Sequence, residues 1–275
     1  MLLKNTVCPK CGSIYDATES FCPKCQEKNP NPASHRRQHG LVWLPKWQEI
    51  TFFLVGWLGL KIISFIMQLI FYYMYKNGEI VLFSAICNFS AYFIIFAGMI
   101  SLIIQNHKKI LSPFKKFVPY AAGVGIGIAT LVANGVYYSI ISNFYTFGVN
   151  ANESLVQDIT ISYPVLAVIF FVIIGPICEE LTYRLGFFSF FARIKKWVAY
   201  VATVLVFALI HFDFMAGSSD AYLVELLNLP SYLIGAAGLC LAYDYFGLPA
   251  SLTAHILNNF ISVMGIFYKH SLGLI

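Results

Sequence analysis

The chain has 275 residues, of which 59% are hydrophobic and only 11% are charged, and its mean hydropathy is +0.71. Soluble globular domains carry about a quarter charged residues, so this composition excludes an ordinary soluble protein and indicates a polytopic membrane protein. The formal net charge of +5 is not by itself a nucleic-acid-binding signature, because basic residues in short loops also orient membrane proteins.

The polar segment at residues 1–30 contains two C-x-x-C pairs, and together they supply four cysteines: Cys8, Cys11, Cys22 and Cys25. Two such pairs can place four thiolates around one tetrahedral zinc ion. A disulfide interpretation competes, but the cytosolic side inferred from the loop charges is reducing. The segment is too small to fold on a hydrophobic core alone, so we predict a short zinc ribbon that its metal stabilises directly.

The ribbon carries basic residues, among them Lys10, Lys24 and Lys28. Zinc ribbons bind nucleic acid or protein, and these lysines would equally suit the anionic inner leaflet of a membrane. A small docking or regulatory module of unspecified partner is favoured, and nucleic-acid binding is disfavoured. Residues 31–48 then form a linker to the membrane domain.

The remainder of the chain, residues 49–275, predicts an all-α membrane domain with about seven transmembrane helices. The apolar segments cover residues 50–75, 80–104, 117–141, 164–188, 197–214, 230–246 and 249–268. The first four are long enough to span a bilayer, which takes about 20 residues, whereas the fifth and sixth are short. An eighth, re-entrant piece at residues 221–229 is an alternative.

Charges in the connections predict an orientation. Basic residues recur in alternate connections, namely Arg36, Arg37 and Lys46, then Lys108, Lys109, Lys115 and Lys116, then Arg193, Lys195 and Lys196. The intervening connections are acidic or nearly neutral. The positive-inside rule therefore places the N-terminus in the cytosol and the C-terminus outside. No cleavable signal peptide is visible, because the first apolar run follows the polar segment.

Two adjacent carboxylates, Glu179 and Glu180, lie inside the fourth apolar segment. Charged groups at the centre of a spanning helix cost roughly 2.5–3.5 kcal/mol each, so they indicate chemistry or ion passage. Glu180 and Arg184 are four residues apart and can form an ion pair on one helical face. Glu179 lies about 100° around the helix and lacks this partner. Pro176, just before the pair, is expected to kink the helix or loosen its backbone.

Later spans carry further polar side chains at the same four-residue spacing. Phe207 and His211 share a face of the fifth span, and His255 and Asn259 share a face of the seventh. These groups can converge with the carboxylates in one intramembrane cavity. The alternatives are interhelical hydrogen bonding, which also suits Asn258, and ion or proton transport. No clear inverted repeat with broken helices supports a transporter.

The three motifs are E-E-x-x-x-R at 179–184, F-x-x-x-H at 207–211 and H-x-x-x-N at 255–259. In this order and inside apolar spans, they resemble those of the CPBP family. This family, also called the Abi family, comprises intramembrane proteases related to the type II CAAX prenyl endopeptidase. The resemblance covers about residues 164–268 and does not include the ribbon.

The resemblance implies a role for each motif residue. Glu179 would activate the water that attacks a peptide carbonyl, and His211 would assist. His255 and Asn259 would stabilise the oxyanion. Glu180, Arg184 and Phe207 would support the site. The family has also been described as metalloproteases, and the sequence leaves open whether the Glu and His residues hold an active-site zinc.

The family further implies a membrane-associated protein or peptide as substrate, prenylated or not, and bacterial-type members are associated with peptide processing and bacteriocin immunity. By analogy, the ribbon suggests a prokaryotic cell membrane. A non-catalytic binding or immunity protein on the same fold is the alternative function. The remaining cysteines lie in apolar spans and are expected to be inert packing residues: Cys87, Cys178 and Cys240.

Overall fold

The computed structural model describes residues 5–16, 19, 21–30, 40–146 and 148–275. The chain divides into two compact units, Met1–His39 and Gly40–Ile275. Part of the predicted linker, including Arg36 and Arg37, lies outside the described residues. The small unit contains an antiparallel hairpin of β1 (Asn5–Val7) and β2 (Ile14–Asp16), and an isolated bridge joins Phe21 to Lys28.

Each C-x-x-C pair of the small unit forms the same tight turn. The backbone N–H of Cys8 and that of Cys22 each donate to the carbonyl five residues later, at 2.9 and 2.8 Å. The residue after the second cysteine has a left-handed backbone in both turns, with φ of 70° at Gly12 and 57° at Gln26. Glycine adopts this conformation without steric cost, whereas a side chain is disfavoured there. The repeated turn brings the two cysteines of each pair to one side.

The membrane unit is entirely helical where it is described, which confirms the predicted fold class. Six helices are long and apolar enough to cross a membrane: α1 (Lys46–Ile70), α2 (Ile80–Gln105), α3 (Phe117–Ile141), α5 (Pro164–Ala192), α7 (Ser219–Phe246) and α8 (Leu248–Ser271). Two shorter helices are α4 (Ala151–Ser162) and α6 (Lys196–Leu209). Short turns at Tyr72–Lys76, His107–Leu111 and Ser112–Lys115 lie in the connections.

Helix α5 is wound more widely on both sides of Pro176. It contains π-helical turns at Val168–Ile174 and Glu180–Phe188, with an α-helical turn at Gly175–Glu179 between them. A proline lacks the N–H that the regular hydrogen-bond ladder requires. π-Turns within α-helices are frequent at functional sites. The two carboxylates stand where the second of these turns begins.

Helix α7 differs from the prediction. Residues 221–229 are not a re-entrant piece but the first part of one continuous helix that passes through Pro230. The carbonyl of Leu227, one turn before the proline, accepts a hydrogen bond from the Tyr137 hydroxyl of α3 at 2.7 Å. Pro230 removes the regular bond to the carbonyl of Leu226, four residues earlier, and the Tyr137 contact braces the backbone of the same turn. The re-entrant alternative is therefore not adopted.

Helices α3 and α8 approach closely along small residues. A Cβ added at Gly123 would lie 2.5 Å from the carbonyl oxygen of Ala250, and one at Gly127 would lie 3.3 Å from the Cα of Ala254. Small residues four apart let membrane helices pack backbone against backbone. This contact fixes the position of α8 and therefore of His255, which follows Ala254.

Helix α6 is too short to cross a bilayer. Its 14 residues extend for about 21 Å, against a hydrocarbon thickness of about 30 Å. Its first residue is anchored, because Lys196 Nζ lies 2.7 Å from Asp244 Oδ1 near the end of α7. The other end of α6, with His211 just beyond it, therefore stops within the depth of the membrane unit.

The segment after α6 and the start of α4 are joined through one buried carboxylate. Glu225 of α7 accepts hydrogen bonds from the N–H of Ala151 at 3.0 Å and from that of Asp213 at 3.2 Å. The side chain of Asn150 caps α4 by accepting from the N–H of Glu153 at 2.8 Å. These bonds give this connection a defined structure.

Candidate active site

The structure brings the predicted catalytic side chains to one cavity in the membrane unit. The cavity has a volume of about 640 Å³, and its lining includes Glu179, His211, His255, Asn259 and Phe207. We call it the chamber. Glu180 and Arg184 are not among its lining residues, and both side chains are almost completely buried, with exposures of 1% and 0%.

A chain of polar contacts connects Arg184 to Glu179. Arg184 Nη1 lies 3.2 Å from Glu180 Oε1, as the four-residue spacing predicted, and the same oxygen lies 2.8 Å from His255 Nδ1. The other ring nitrogen, Nε2, lies 3.6 Å from Glu179 Oε2. Because an ionised carboxylate only accepts hydrogen bonds, Nδ1 carries the proton and Nε2 faces Glu179. Glu180 thus orients His255 as well as pairing with Arg184.

The second oxygen of Glu179 has a partner that was not predicted. The Tyr92 hydroxyl of α2 donates a hydrogen bond to Glu179 Oε1 at 3.0 Å. Tyr92 also lines the chamber together with Asn88. The two residues are four apart on an apolar helix, which is the spacing that marks the other motifs. This repetition is the sequence signal that could have identified them.

Phe207 covers the buried guanidinium of Arg184. The Arg184 Cζ atom lies 4.4 Å from the centroid of the Phe207 ring, and the ring also meets Tyr183 and His255 edge-on, at 5.3 and 5.9 Å. Apart from the ion pair of Nη1 with Glu180, the side-chain nitrogens of Arg184 have no well-aligned hydrogen-bond partner among the described residues. A cation over an aromatic face gains about 2 kcal/mol when desolvated, so Phe207 offsets part of this burial.

His211 presents one free ring nitrogen to the chamber. Its Nδ1 lies 2.8 Å from the carbonyl oxygen of Phe207, and its ring stacks on Tyr232 at 4.7 Å with an interplanar angle of 17°. A carbonyl oxygen can only accept, so Nδ1 carries the proton and Nε2 is left for other contacts. The two residues of this motif, four apart, are therefore also joined by a hydrogen bond from the His211 ring to the Phe207 carbonyl.

The two adjacent asparagines of α8 point to different neighbours. Asn259 Nδ2 donates to the carbonyl oxygen of Phe171 in the first π-turn of α5, at 2.8 Å. A primary amide has two hydrogens, so one remains for another acceptor. Asn258 Nδ2 donates to Thr130 Oγ1 of α3 at 2.9 Å. Asn258 therefore makes the kind of interhelical contact that was considered for it.

The four cysteines of the small unit can bind a metal ion. Their sulfur atoms all lie within 4.8 Å of one another, with 3.5 Å between Cys8 and Cys25 and 3.7 Å between Cys11 and Cys22. The Ser13 hydroxyl lies 3.2 Å from the Cys22 sulfur. This hydroxyl is the largest cause that lowers the pKa of the Cys22 thiol to about 6, which favours the thiolate that binds metal.

The chamber residues do not form a comparable set of ligands. Within the described parts of the chain, the cysteines are the only group of three or more His, Cys, Asp or Glu residues whose ligand atoms converge in this way. The side chains of Glu179, His211 and His255 line one chamber without meeting that geometry. They therefore do not fit a three-ligand metal site as they stand.

The comparison with known families agrees with the motifs. Residues 161–261 match the family model described as Type II CAAX prenyl endopeptidase Rce1-like. Residues 161–261 of the membrane unit are therefore similar to this family. All three motifs lie inside the matched residues, so the resemblance to the CPBP family is confirmed. No curated protein and no solved structure is significantly similar to the chain. The six apolar helices indicate an integral membrane protein, and the matched residues resemble a family of membrane proteases.

Proposed function

We propose that the membrane unit is an intramembrane endopeptidase that cleaves a membrane-associated protein or peptide with a water molecule activated by Glu179. The position of Glu179 is the observation that carries this proposal. Its carboxylate lines the chamber, is held by Tyr92 on one oxygen and faces His255 with the other. Among the described residues no arginine pairs with it, whereas Glu180 is paired with Arg184.

In this mechanism Glu179 removes a proton from water while the water oxygen attacks the carbonyl carbon of the peptide bond. The same carboxyl group then delivers the proton to the leaving amide nitrogen as the C–N bond breaks. A positioned general base contributes about 10²–10⁴-fold to such a reaction. His211, whose Nε2 is free, assists by accepting a hydrogen bond from the water.

His255 and Asn259 stabilise the negative oxygen of the tetrahedral intermediate. Asn259 retains one amide hydrogen beyond its bond to Phe171. Nδ1–H of His255 is engaged by Glu180, so donation from Nε2 uses the imidazolium form of the ring, in which both nitrogens carry a hydrogen. One such donor is worth about 3–4 kcal/mol in a water-poor site. Because the chamber residues do not fit a metal site, no step is assigned to a metal ion.

A comparison of cellular peptide N-termini tests the proposal. Cells that lack the gene are complemented with wild-type protein or with Glu179→Gln, and new N-termini in the membrane and secreted fractions are identified by mass spectrometry. We expect at least one cleavage product that only the wild type generates. If both proteins give the same N-termini and the same phenotype, the non-catalytic binding function replaces the enzyme.

Replacing Tyr92 with Phe should lower kcat on that substrate by roughly tenfold and leave KM nearly unchanged. The substitution removes only the hydroxyl that holds Glu179 Oε1, and a hydrogen bond to a charged group is worth about 1.5–3 kcal/mol. Steady-state kinetics of the purified protein measure the effect. Tyr268→Phe, at an exposed position of α8, is the control. A change in KM alone would contradict a role through Glu179.

We further propose that the metal held by the small unit is structural zinc. The support is the four-sulfur donor set, which zinc prefers among the common structural ions. Replacing Cys22 and Cys25 with Ser in the full chain should remove about one equivalent of zinc and unfold the small unit. Plasma emission spectrometry of the purified protein measures the metal. Cys87→Ala, which alters a buried thiol of α2, should retain it, and unchanged zinc in the double variant would refute the site.

We also propose that the protein lies in a prokaryotic cell membrane with its N-terminus in the cytosol. The basic connections between α2 and α3 and between α5 and α6 support this orientation. The reducing cytosol would keep the four cysteines available for metal. We take the ribbon as a docking or regulatory module for a protein or lipid surface rather than for nucleic acid.

A further inference from the structure

We propose that the chamber is filled with water and admits a hydrophilic, unprenylated polypeptide segment from the membrane face opposite the basic connections. The identity of the molecule that enters the chamber, a polypeptide segment, rests on the proposed peptidase function. The hydration of the chamber is inferred from its lining, and the side on which it opens is inferred from the lining together with the charges of the connections.

The lining of the chamber extends towards one end of the helices. From Glu179, about midway along α5, the lining extends to Val149 just before α4 and to Glu153 within α4. It also includes Lys269 near the end of α8. Within the described residues, it includes none from the basic connections at 106–116 and 193–196. The chamber therefore opens on the side where α4 lies, and this is the face with acidic connections.

The short helix α6 explains why there is space on this side. Its 14 residues leave about 9 Å of the bilayer thickness uncovered. It is anchored at the basic end by the pair between Lys196 and Asp244, so the uncovered part is on the other side. His211, just after α6, lines the chamber there. The catalytic groups thus lie at the closed end of a cavity, on the side of the membrane unit that α6 does not reach.

The walls of the chamber combine apolar side chains with a set of amide groups, and these amides affect what can occupy it. Six asparagines contribute to the lining: Asn88, Asn134, Asn152, Asn228, Asn258 and Asn259. An isoprenoid chain would desolvate these amides without replacing their hydrogen bonds, at a cost of about 1–3 kcal/mol for each unpaired group. An extended peptide brings an N–H and a C=O at every residue and can replace the bonds to water.

The test places single cysteines in a chain whose three membrane cysteines are replaced by Ala, and it requires no known substrate. Asn134→Cys puts a thiol in the chamber wall. Val132→Cys puts one on the same helix, where the native side chain is 60% exposed and does not line the chamber. A membrane-impermeant charged thiol reagent is applied to intact cells and to inside-out vesicles. Thermal unfolding of each variant confirms that it is folded.

We expect Asn134→Cys to react from outside intact cells about tenfold faster than Val132→Cys, because the thiolate forms only in water. Lys116→Cys, in a basic connection, should react only in inside-out vesicles. Equal, slow labelling of both α3 positions would refute a hydrated chamber. Labelling of Asn134→Cys only from the Lys116 side would refute the opening.

A second arm tests the exclusion of prenyl chains. N-acetyl-S-farnesylcysteine should not slow the labelling of Asn134→Cys, whereas protection by this compound would show that the chamber accepts an isoprenoid. These outcomes are separate from the fate of the peptidase proposal. If the chamber is hydrated and open to the outside but the protein cleaves no peptide, the access proposal is supported and the peptidase proposal is refuted.

Discussion

Replacing Glu179 with Gln is expected to lower kcat for peptide hydrolysis by about 10²–10⁴-fold. Glutamine has nearly the same shape, and its amide oxygen can still accept the hydrogen bond of Tyr92, but it cannot take a proton from water. The protein should accumulate in the membrane as the wild type does. Rates on the substrate found from new N-termini, measured with purified protein in vesicles, give the effect.

Two comparisons make the Glu179→Gln result specific. Glu79→Gln, at an exposed position before α2, removes the same charge away from the chamber and should leave kcat unchanged. Thermal unfolding of Glu179→Gln should resemble that of the wild type. Full activity of Glu179→Gln on an identified substrate would assign the base to another residue.

Replacing Glu180 with Gln is expected to act through stability and should lower the free energy of unfolding by about 3–5 kcal/mol. The substitution leaves Arg184, with a side-chain exposure of 0%, without its carboxylate partner. Water cannot reach the guanidinium, so the cost of its buried charge is not offset. Unfolding of the purified protein in detergent, followed by heat or denaturant, measures the change.

Glu49→Gln is the matched control because it removes another buried carboxylate that pairs with an arginine. Its partner, Arg193, is 27% exposed, so water can hydrate the charge left behind. We expect a smaller loss of stability than for Glu180→Gln. Equal losses would show that burial of the remaining arginine does not determine the effect, and would contradict the supporting role of Glu180 beside Arg184.

The candidate site was largely visible in the sequence because its motifs use the four-residue spacing of a helix face. Glu180 with Arg184 and Phe207 with His211 each make a contact along their own helix. A local spacing predicts such contacts directly. The contact of His255 with Glu180 crosses between helices, and no spacing within one segment determines it.

Other features depend on packing between distant segments and were missed for that reason. Tyr92 reaches Glu179 only because α2 lies beside α5. Pro230 was taken as a helix boundary, whereas Tyr137 supports the backbone around it from α3. Helix α4 was assigned to a connection, since its polar residues gave no apolar signal, and its first turn is held by Glu225 from α7. Each miss reflects a tertiary contact that overrides a local preference.

The length of α6 also affects the surrounding lipid. Its outer face is a stripe of exposed apolar residues: Trp197, Val201, Leu205 and Leu209. Lipids beside this stripe meet an apolar surface that is about 9 Å shorter than the hydrocarbon core of the bilayer. Such a hydrophobic mismatch is accommodated by local thinning of the bilayer. We therefore expect the membrane to be thinned next to the chamber, which would bring headgroups and water closer to His211. A polypeptide segment can reach the site there after crossing less hydrocarbon than elsewhere around the protein.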